Sequence, residues 1–381
     1  MSVWRLLVFL AVVLSITAGI HYFLWIRLAR DPAWPAPVVR GLAWGLGLLA
    51  ASIPLGLFAS RLLPRSTAAP FAWLAYGWMG LMFVLFLTLV PLEVVRAGAR
   101  VVGVDPERRL LLARALAGAA AVIGLGESVA GLASVLGRVG VQPVRVPIAK
   151  LPKSLSGYTI VQISDIHVGP TIGRSFIDQI VRTINALSPD LVAITGDLVD
   201  GSVAELGPLV EPLKDLRAKD GVFFVTGNHE YYSGVDAWIG HLRTLGVRVL
   251  RNERVALRDG LDLAGVDDTS AKSFGRGHGQ DVPRAMEGRD ESRAIVLLAH
   301  QPKAVIDACK HGVDLQLSGH THGGQIWPWG YAVRLDQPHV AGLHDHHGTA
   351  IYVSRGTGYW GPPMRVAAPA EITRIELVNE A

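Results

Sequence analysis

The chain of 381 residues has one cysteine, Cys309, so no disulfide can close within it; the compartment stays open, because an exported enzyme can do without disulfides. Charge is scarce. Asp, Glu, Lys and Arg supply 18% of residues against 50% hydrophobic, and a mean hydropathy of +0.34 excludes an ordinary soluble enzyme along the whole length. Both shortages are local. Residues 1–137 have no histidine but His21 and hold nearly all the long apolar runs, whereas the rest of the 13 histidines fall between His167 and His347. No internal repeat is visible, and the two halves read as different machines.

The amino-terminal half reads as membrane. Residues 6–26 are interrupted only by His21, residues 38–58 only by Arg40, and residues 71–92 by no charged side chain. Each run reaches the roughly 20 residues needed to span a hydrocarbon core. A fourth run, residues 110–136, carries Arg114 near its start and Glu127 inside. It is read as a span, with an interfacial or packed helix as the alternative. The first run is too long for a secretory signal core and is followed at once by further spans, so it reads as an anchor. Arg27, Arg30, Arg40, Arg96, Arg100, Arg108, Arg109 and Arg114 crowd the first and third loops, against Arg5, Arg61, Arg65, Arg138, Arg145, Lys150 and Lys153 on the other side, a slight excess. With four spans, this tilts those loops towards the cytoplasm and the remainder of the chain outside; with three, the argument inverts. The pI near 9.3 follows from these arginines and membrane-surface attraction, so the bilayer is the expected partner and no nucleic acid is expected.

Residues 138–157 change character, with several prolines, basic side chains and no helical period, and read as a linker close to the headgroups. From residue 158 apolar runs alternate with helical patterns: 158–164, helix 174–187, 190–195, helix 203–217 and 222–226. Shorter runs follow at 247–250, 254–257, 261–264, 294–299, 315–317 and 350–353. The strand candidates are β-branched and continuously apolar, as strands covered on both faces must be, which predicts a layered α/β core. The expected division is thus a transmembrane helical region at 1–137, the linker, and a catalytic domain at 158–381.

Five polar blocks close these runs: Asp165-Ile166-His167, Gly196-Asp197, Gly227-Asn228-His229-Glu230, His300 and Gly319-His320-Thr321-His322. Residues that directly follow parallel strands emerge at one sheet edge, where open α/β sheets bind ligands. Carboxylates and neutral imidazoles converging there suit two divalent cations about 3.5–4 Å apart, the arrangement needed for in-line displacement by water. Singly the blocks are weak, since Gly-Asp is usually a turn and a histidine after an apolar run is often a core residue. Their ordered set carries the inference.

The set resembles the calcineurin-like metallophosphoesterase superfamily over roughly residues 158–377. The segments 317–325, Leu-Ser-Gly-His-Thr-His-Gly-Gly-Gln, and 354–358, Ser-Arg-Gly-Thr-Gly, look most like its bacterial membrane-associated branch of small phosphodiesterases and UDP-2,3-diacylglucosamine pyrophosphatases. The resemblance implies an α/β/β/α sandwich behind an all-α transmembrane region. It implies that Asp165, His167 and His322 bind one metal, that Asp197 bridges, and that Asn228, His300 and His320 complete the second. A metal-bridging hydroxide would then attack phosphorus, His229 would protonate the leaving alkoxide or stabilise charge, and Glu230 would orient His229. The mixed nitrogen and oxygen set suits Mn²⁺, favoured here, or Fe²⁺ or Zn²⁺.

Arg355 is a candidate for substrate phosphate, or else pairs with a carboxylate. Trp327, Trp329, Tyr331, Tyr359 and Trp360 either meet a lipid or base, or pack a second sheet. The expected function is a membrane phosphoesterase cutting a phosphodiester or pyrophosphate bond in a phosphorylated small molecule or lipid. A catalytically silent metal-binding sensor or scaffold, and a transporter, are the alternatives; protein partners are not indicated.

Overall fold

The computed structural model describes residues 3–275 and 277–380. Contacts divide the chain into two units, residues 1–133 with 361–364, and residues 134–360 with 365–381.

The first unit is helical: Val3–Trp25, Ala36–Leu62, Arg65–Val101 and Pro106–Leu136. Prolines mark the starts, with Pro35 and Pro64 capping the second and third helices and Pro106 opening the fourth, where a missing N–H costs no helical hydrogen bond. All four helices are long and apolar enough to cross a membrane. Leu24, Ile53, Trp78, Met82, Leu85, Leu89 and Ala120 pack together inside, where His21 Nε2 accepts from Trp78 Nε1 at 2.9 Å. The last helix continues unbroken through Glu127, whose side chain is exposed rather than turned towards another helix.

Among the described residues the second unit holds twelve strands: β1 (Gly140–Pro147), β2 (Tyr158–Ile163), β3 (Leu191–Ile194), β4 (Val222–Phe224), β5 (Arg248–Val249), β6 (Glu253–Arg258), β7 (Leu261–Gly265), β8 (Ala294–Leu298), β9 (Leu315–Ser318), β10 (Gly342–His346), β11 (Thr349–Val353) and β12 (Glu371–Val378). They form two six-stranded sheets, ordered β1-β12-β2-β3-β4-β5 and β10-β11-β9-β8-β7-β6. In the first sheet β2 to β5 run parallel; in the second β7, β8, β9 and β11 do. Ile160, Leu191, Ala193 and Phe223 from one sheet pack with Leu263, Val296, Leu298 and Leu317 from the other. Helices cover the outer faces: Arg174–Ala186 buries Ile177, Ile180, Val181 and Ile184, a stripe at helical spacing.

Three segments differ from the sequence reading. Residues 140–147, expected within a linker, form β1, and Val146, Ile148 and Leu151 enter the core between the sheets. Pro143 and Pro147 are compatible with a strand because β1 lies at the sheet edge and pairs only with β12. The charges Glu371, Arg374 and Glu376 disguise β12, which nevertheless sits between β1 and β2. The helix expected over 203–217 stops at Val210 and continues as a tighter turn, Glu211–Asp215, that has Pro212 near its start.

Candidate metal centre

The carboxyl ends of the parallel strands in both sheets deliver the polar blocks to one place. Asp165 and His167 follow β2, Asp197 follows β3, and Asn228 and His229 open the short helix Asn228–Ser233 after β4. From the second sheet, His300 follows β8, and His320 and His322 follow β9. Backbone and side-chain bonds tie the two sets together: His320 N donates to Asp165 Oδ1 at 2.9 Å, and His300 Nδ1 donates to the carbonyl of Thr195 at 2.7 Å.

Ligand-type atoms crowd there in three groups, each with its members within 4.8 Å of one another: Asp165, His167 and His322; His167, Asp197 and His229; Asp197, His300 and His320. Asp197 is common to the last two. Its Oδ2 lies 3.1 Å from His300 Nε2 and 3.8 Å from His167 Nε2. Imidazole nitrogens meet nose to nose, His167 Nε2 with His322 Nε2 at 3.1 Å and His320 Nδ1 with His300 Nε2 at 3.2 Å. His300 Nδ1 is committed to a carbonyl and His167 Nδ1 lies 3.1 Å from Asp200 Oδ1, so the lone pairs left over point into the cluster. Asn228 Oδ1 is buried with no hydrogen-bond partner. Convergent lone pairs, a buried carboxylate between them and an orphaned amide oxygen fit divalent cations.

Electrostatics agree with that fit at His320, His322 and Asp197; burial raises the Asp165 pKa, and at His300 the fields of Asp197 and Asp165 outweigh burial and hold a proton that a bound cation would have to displace. Burial, then the field of His300, lowers the His320 pKa to about 3. Burial, then the fields of His167 and Arg365, holds His322 well below the ordinary histidine value. Both imidazoles are therefore neutral and able to donate a lone pair. Burial alone would raise Asp197, but His300, His229 and His167 outweigh it and hold the carboxylate ionised. Burial likewise opposes a proton on His229, yet its hydrogen bond to Asp200 and the fields of Asp197, Asp200 and Glu230 raise its pKa to about 9.

The backbone is strained where these side chains leave it. Asp165, His167, Asp197, His320 and His322 all have positive φ, between 52° and 72°. Each such residue costs on the order of 1 kcal/mol or more, and persists only where its surroundings over-determine it. Those surroundings are visible: Asp165 N donates to Gly196 O, His167 N to Asp197 O, and Gly319 N to His300 O. Two glycines let the segments close up. A Cβ on Gly227 would lie 2.1 Å from Asp197 Oδ1, and one on Gly319 would lie 2.2 Å from Asp165 Oδ2.

Residues 158–324 match the calcineurin-like phosphoesterase family. A transmembrane protein with metallophosphoesterase domain from Bos taurus is 43% identical over 296 residues, 74% of this chain and 66% of its own length. An uncharacterised metallophosphoesterase from Helicobacter pylori is 41% identical over 245 residues, 64% of this chain and 65% of its own. One from Aquifex aeolicus is 36% identical over 239 residues, 62% of this chain and 91% of its own. The chain belongs to the calcineurin-like metallophosphoesterases. It spans about two thirds of the length of the bovine and Helicobacter relatives. The matched region is a metallophosphoesterase domain, and among the described residues the three groups are side chains able to hold a metal ion.

Within this metallophosphoesterase unit, two sequence expectations need correcting. Glu230 does not touch the His229 ring. Its carboxylate accepts from the backbone N–H groups of Asp197 at 3.0 Å, Leu198 at 2.8 Å and Gly227 at 2.7 Å, clamping the loop after β3 to the start of its own helix. The residue that meets His229 Nδ1, at 2.6 Å, is Asp200, three positions after Asp197. Sequence reasoning missed Asp200, because the run Asp-Leu-Val-Asp does not show which ring its second carboxylate meets. Arg355 follows the second of its two readings and pairs with a carboxylate, its Nη1 donating to Glu371 Oε2 at 2.7 Å. A second missed residue is Arg365. Buried, it donates to the carbonyls of Gly358 at 2.8 Å, His322 at 3.1 Å and Ala368 at 2.9 Å, and so fastens the loop carrying His322.

Proposed function

We propose that this chain is a membrane-anchored dinuclear phosphoesterase that hydrolyses a phosphodiester or pyrophosphate bond in an amphiphilic substrate. The observation that carries the reading is Asp197, a fully enclosed carboxylate placed between an Asp165-His167-His322 group and a His300-His320 pair. In this reading Asp165, His167 and His322 would hold one divalent ion and Asn228, His300 and His320 the other, with Asp197 within reach of either set. When bound, such ions, Mn²⁺ by preference, would supply Lewis acidity and lower the pKa of water.

The chain's own residues do the rest. Asp200 Oδ1 accepts the Nδ1 proton of His229 and fixes the ring, leaving Nε2–H, 4.0 Å from Asp197 Oδ2, to meet an incoming phosphoryl or leaving-group oxygen. A pKa of about 9 keeps that proton in place at neutral pH, as a hydrogen-bond donor or general acid requires. Asp200 also aligns His167, so one carboxylate orients a ligand and the acid together. Glu230 positions rather than reacts: by holding the amides of Asp197 and Gly227 it sets the spacing of the loops after β3 and β4.

An amphiphilic substrate is supported by the rings around the cluster. Trp360 and Tyr232 meet the His229 ring edge-on, with centroids at 5.5 and 5.4 Å, and both are exposed; Trp327, Trp329 and Tyr331, after His322, are exposed as well. Exposed aromatics of this kind suit an acyl chain or a base rather than a core. With four crossings, the arginines at the ends of the first and third helices would put those ends in the cytoplasm and the metal centre on the opposite side.

The purified full chain with Mn²⁺ should hydrolyse bis(p-nitrophenyl) phosphate, and Asp197→Ala and His229→Ala should lose activity while circular dichroism stays unchanged. Inert wild-type protein across Mn²⁺, Fe²⁺ and Zn²⁺ would favour a silent scaffold instead. Exposing membrane extracts to active and Asp197→Ala protein, with mass spectrometry of the phosphorylated lipids, then identifies the substrate.

A further inference from the structure

Three separate segments bring arginines to one end of the helical unit. The first helix runs on into a wide turn, Ile26–Arg30, that sets Arg27 and Arg30 beside Asp31. The third helix ends through Glu93, Arg96 and Arg100, and the fourth starts at Pro106 with Arg109 in its first turn. Between them lies a cavity of about 260 Å³ lined by Asp31, Arg96, Arg100, Pro106 and Arg109 among others.

The two carboxylates beside Arg96 are already engaged, and Asp105 and Glu107, at the start of the fourth helix, do not line the cavity. Asp31 pairs with Arg27 through Oδ2 and with Arg30 through Oδ1, and Glu93 accepts from Arg27 Nη2 and lies 3.5 Å from Arg96 Nε. What remains is positive. Arg96 is 7% exposed, and its Nη2 is buried without a hydrogen-bond partner. Arg100 and Arg109 border the same cavity and have no carboxylate partner among the described residues. A buried guanidinium N–H with no acceptor is costly, and an acceptor from outside the chain removes that cost. Guanidinium groups present their donors as a planar fork, the geometry that phosphate oxygens match.

We propose that this cavity binds a phosphate group, carried by an anionic phospholipid or by free phosphate, on Arg96, Arg100 and Arg109. The lipid is the favoured source. Val94, Val101 and Leu111 on the same helix ends are exposed and offer apolar surface for acyl chains. The concentration of arginine also marks this end as the cytoplasmic one, where anionic lipids attract juxtamembrane basic groups. The site is distinct from the metal centre and requires no hydrolysis.

The test uses the full chain in nanodiscs of phosphatidylcholine alone, or of phosphatidylcholine with phosphatidylglycerol, and reads retained lipid by native mass spectrometry. Wild-type protein should retain phosphatidylglycerol in preference to phosphatidylcholine, and the double variant Arg100→Gln/Arg109→Gln should lose the preference by roughly tenfold, the scale of one lost charged hydrogen bond. Arg108→Gln, a neighbour outside the cavity lining, should behave as wild type. Both altered arginines are exposed on the rim, so the helices keep their packing, which circular dichroism checks. If inorganic phosphate competes away the retained lipid, or itself raises the melting temperature of wild type but not of the double variant, the phosphate chemistry stands and its source is read from the more effective ligand. Equal retention of both lipids by wild type with no response to phosphate overturns the proposal. So does a phosphatidylglycerol preference that the double variant keeps.

Discussion

The two units put the same kinds of residue on opposite sides of their surfaces. In the helical unit large apolar side chains face outwards, Trp44 at 74% exposure and Leu48 at 70%, while its few charges gather at helix ends. In the two-sheet unit the apolar side chains fill the space between sheets, and Asp165 and Asp197 are buried at 0% and 2% exposure. The difference teaches that burial has a different meaning in each. Outward apolar surface costs nothing against hydrocarbon, whereas an enclosed carboxylate in a water-soluble fold persists only with positive charge or donors around it.

That contrast can be broken most forcefully at its buried acid. Asp197→Ala should abolish phosphodiester hydrolysis, by on the order of 10³-fold or more, and should lower bound metal measured by elemental analysis, while the helical content of the chain is unchanged. Retention of both metal and activity would remove Asp197 from the centre. His229→Ala should cost about 10²- to 10⁴-fold in turnover with bound metal retained, separating proton donation from ligation.

A pH comparison sharpens the electrostatic side. In protein stripped of metal by chelation, the raised His229 pKa means that the folded chain binds the proton more tightly than the unfolded one. The stability from the His229–Asp200 pair is then fully present below 6.5 and is lost as pH rises towards about 9. Melting temperatures of wild type should fall across that window, and those of Asp200→Asn should stay flatter; parallel curves would show that the pair contributes nothing.

The smallest effects compare one glycine from each unit. Gly227→Ala forces a Cβ to within 2.1 Å of Asp197 Oδ1 and should cost about 1–3 kcal/mol together with most of the activity. Gly45→Ala, where nothing lies within 4 Å, should be neutral or stabilise its helix by up to about 1 kcal/mol. Thermal unfolding of the two variants in detergent measures the difference.

Legibility followed the same division. Apolar runs marked the four helices because hydrocarbon-facing segments must be apolar all round, and continuous β-branched runs marked β2, β3, β4, β8 and β9 because parallel strands are covered on both faces. β1 and β12 escaped notice for the opposite reason: prolines at a sheet edge and charges beside a sheet end leave no such pattern. The turn His347-Gly348 between β10 and β11 is a tight hairpin with positive φ at both residues, and the polar, histidine-rich stretch around it carries no strand pattern. In the candidate site, residues standing directly at strand ends were readable as a set. Asp200, Glu230 and Arg365 act through partners 29, 32 and 43 positions away in the chain, at His229, Leu198 and His322, and local spacing carries no trace of such pairings.

By itself the sequence determined which stretches are apolar enough for a bilayer, which runs become buried strands, and which polar residues stand at the strand ends. These are consequences of local composition and period. Only the tertiary structure decided that His229 leans on Asp200, that Glu230 grips backbone amides, that Arg355 pairs with Glu371, and that three arginines border a cavity in which two nitrogens of one guanidinium lack a hydrogen-bond partner. Hydrogen bonds and ion pairs depend on separations of a few ångströms between segments far apart in the chain, and those separations exist only once the sheets and helices have packed.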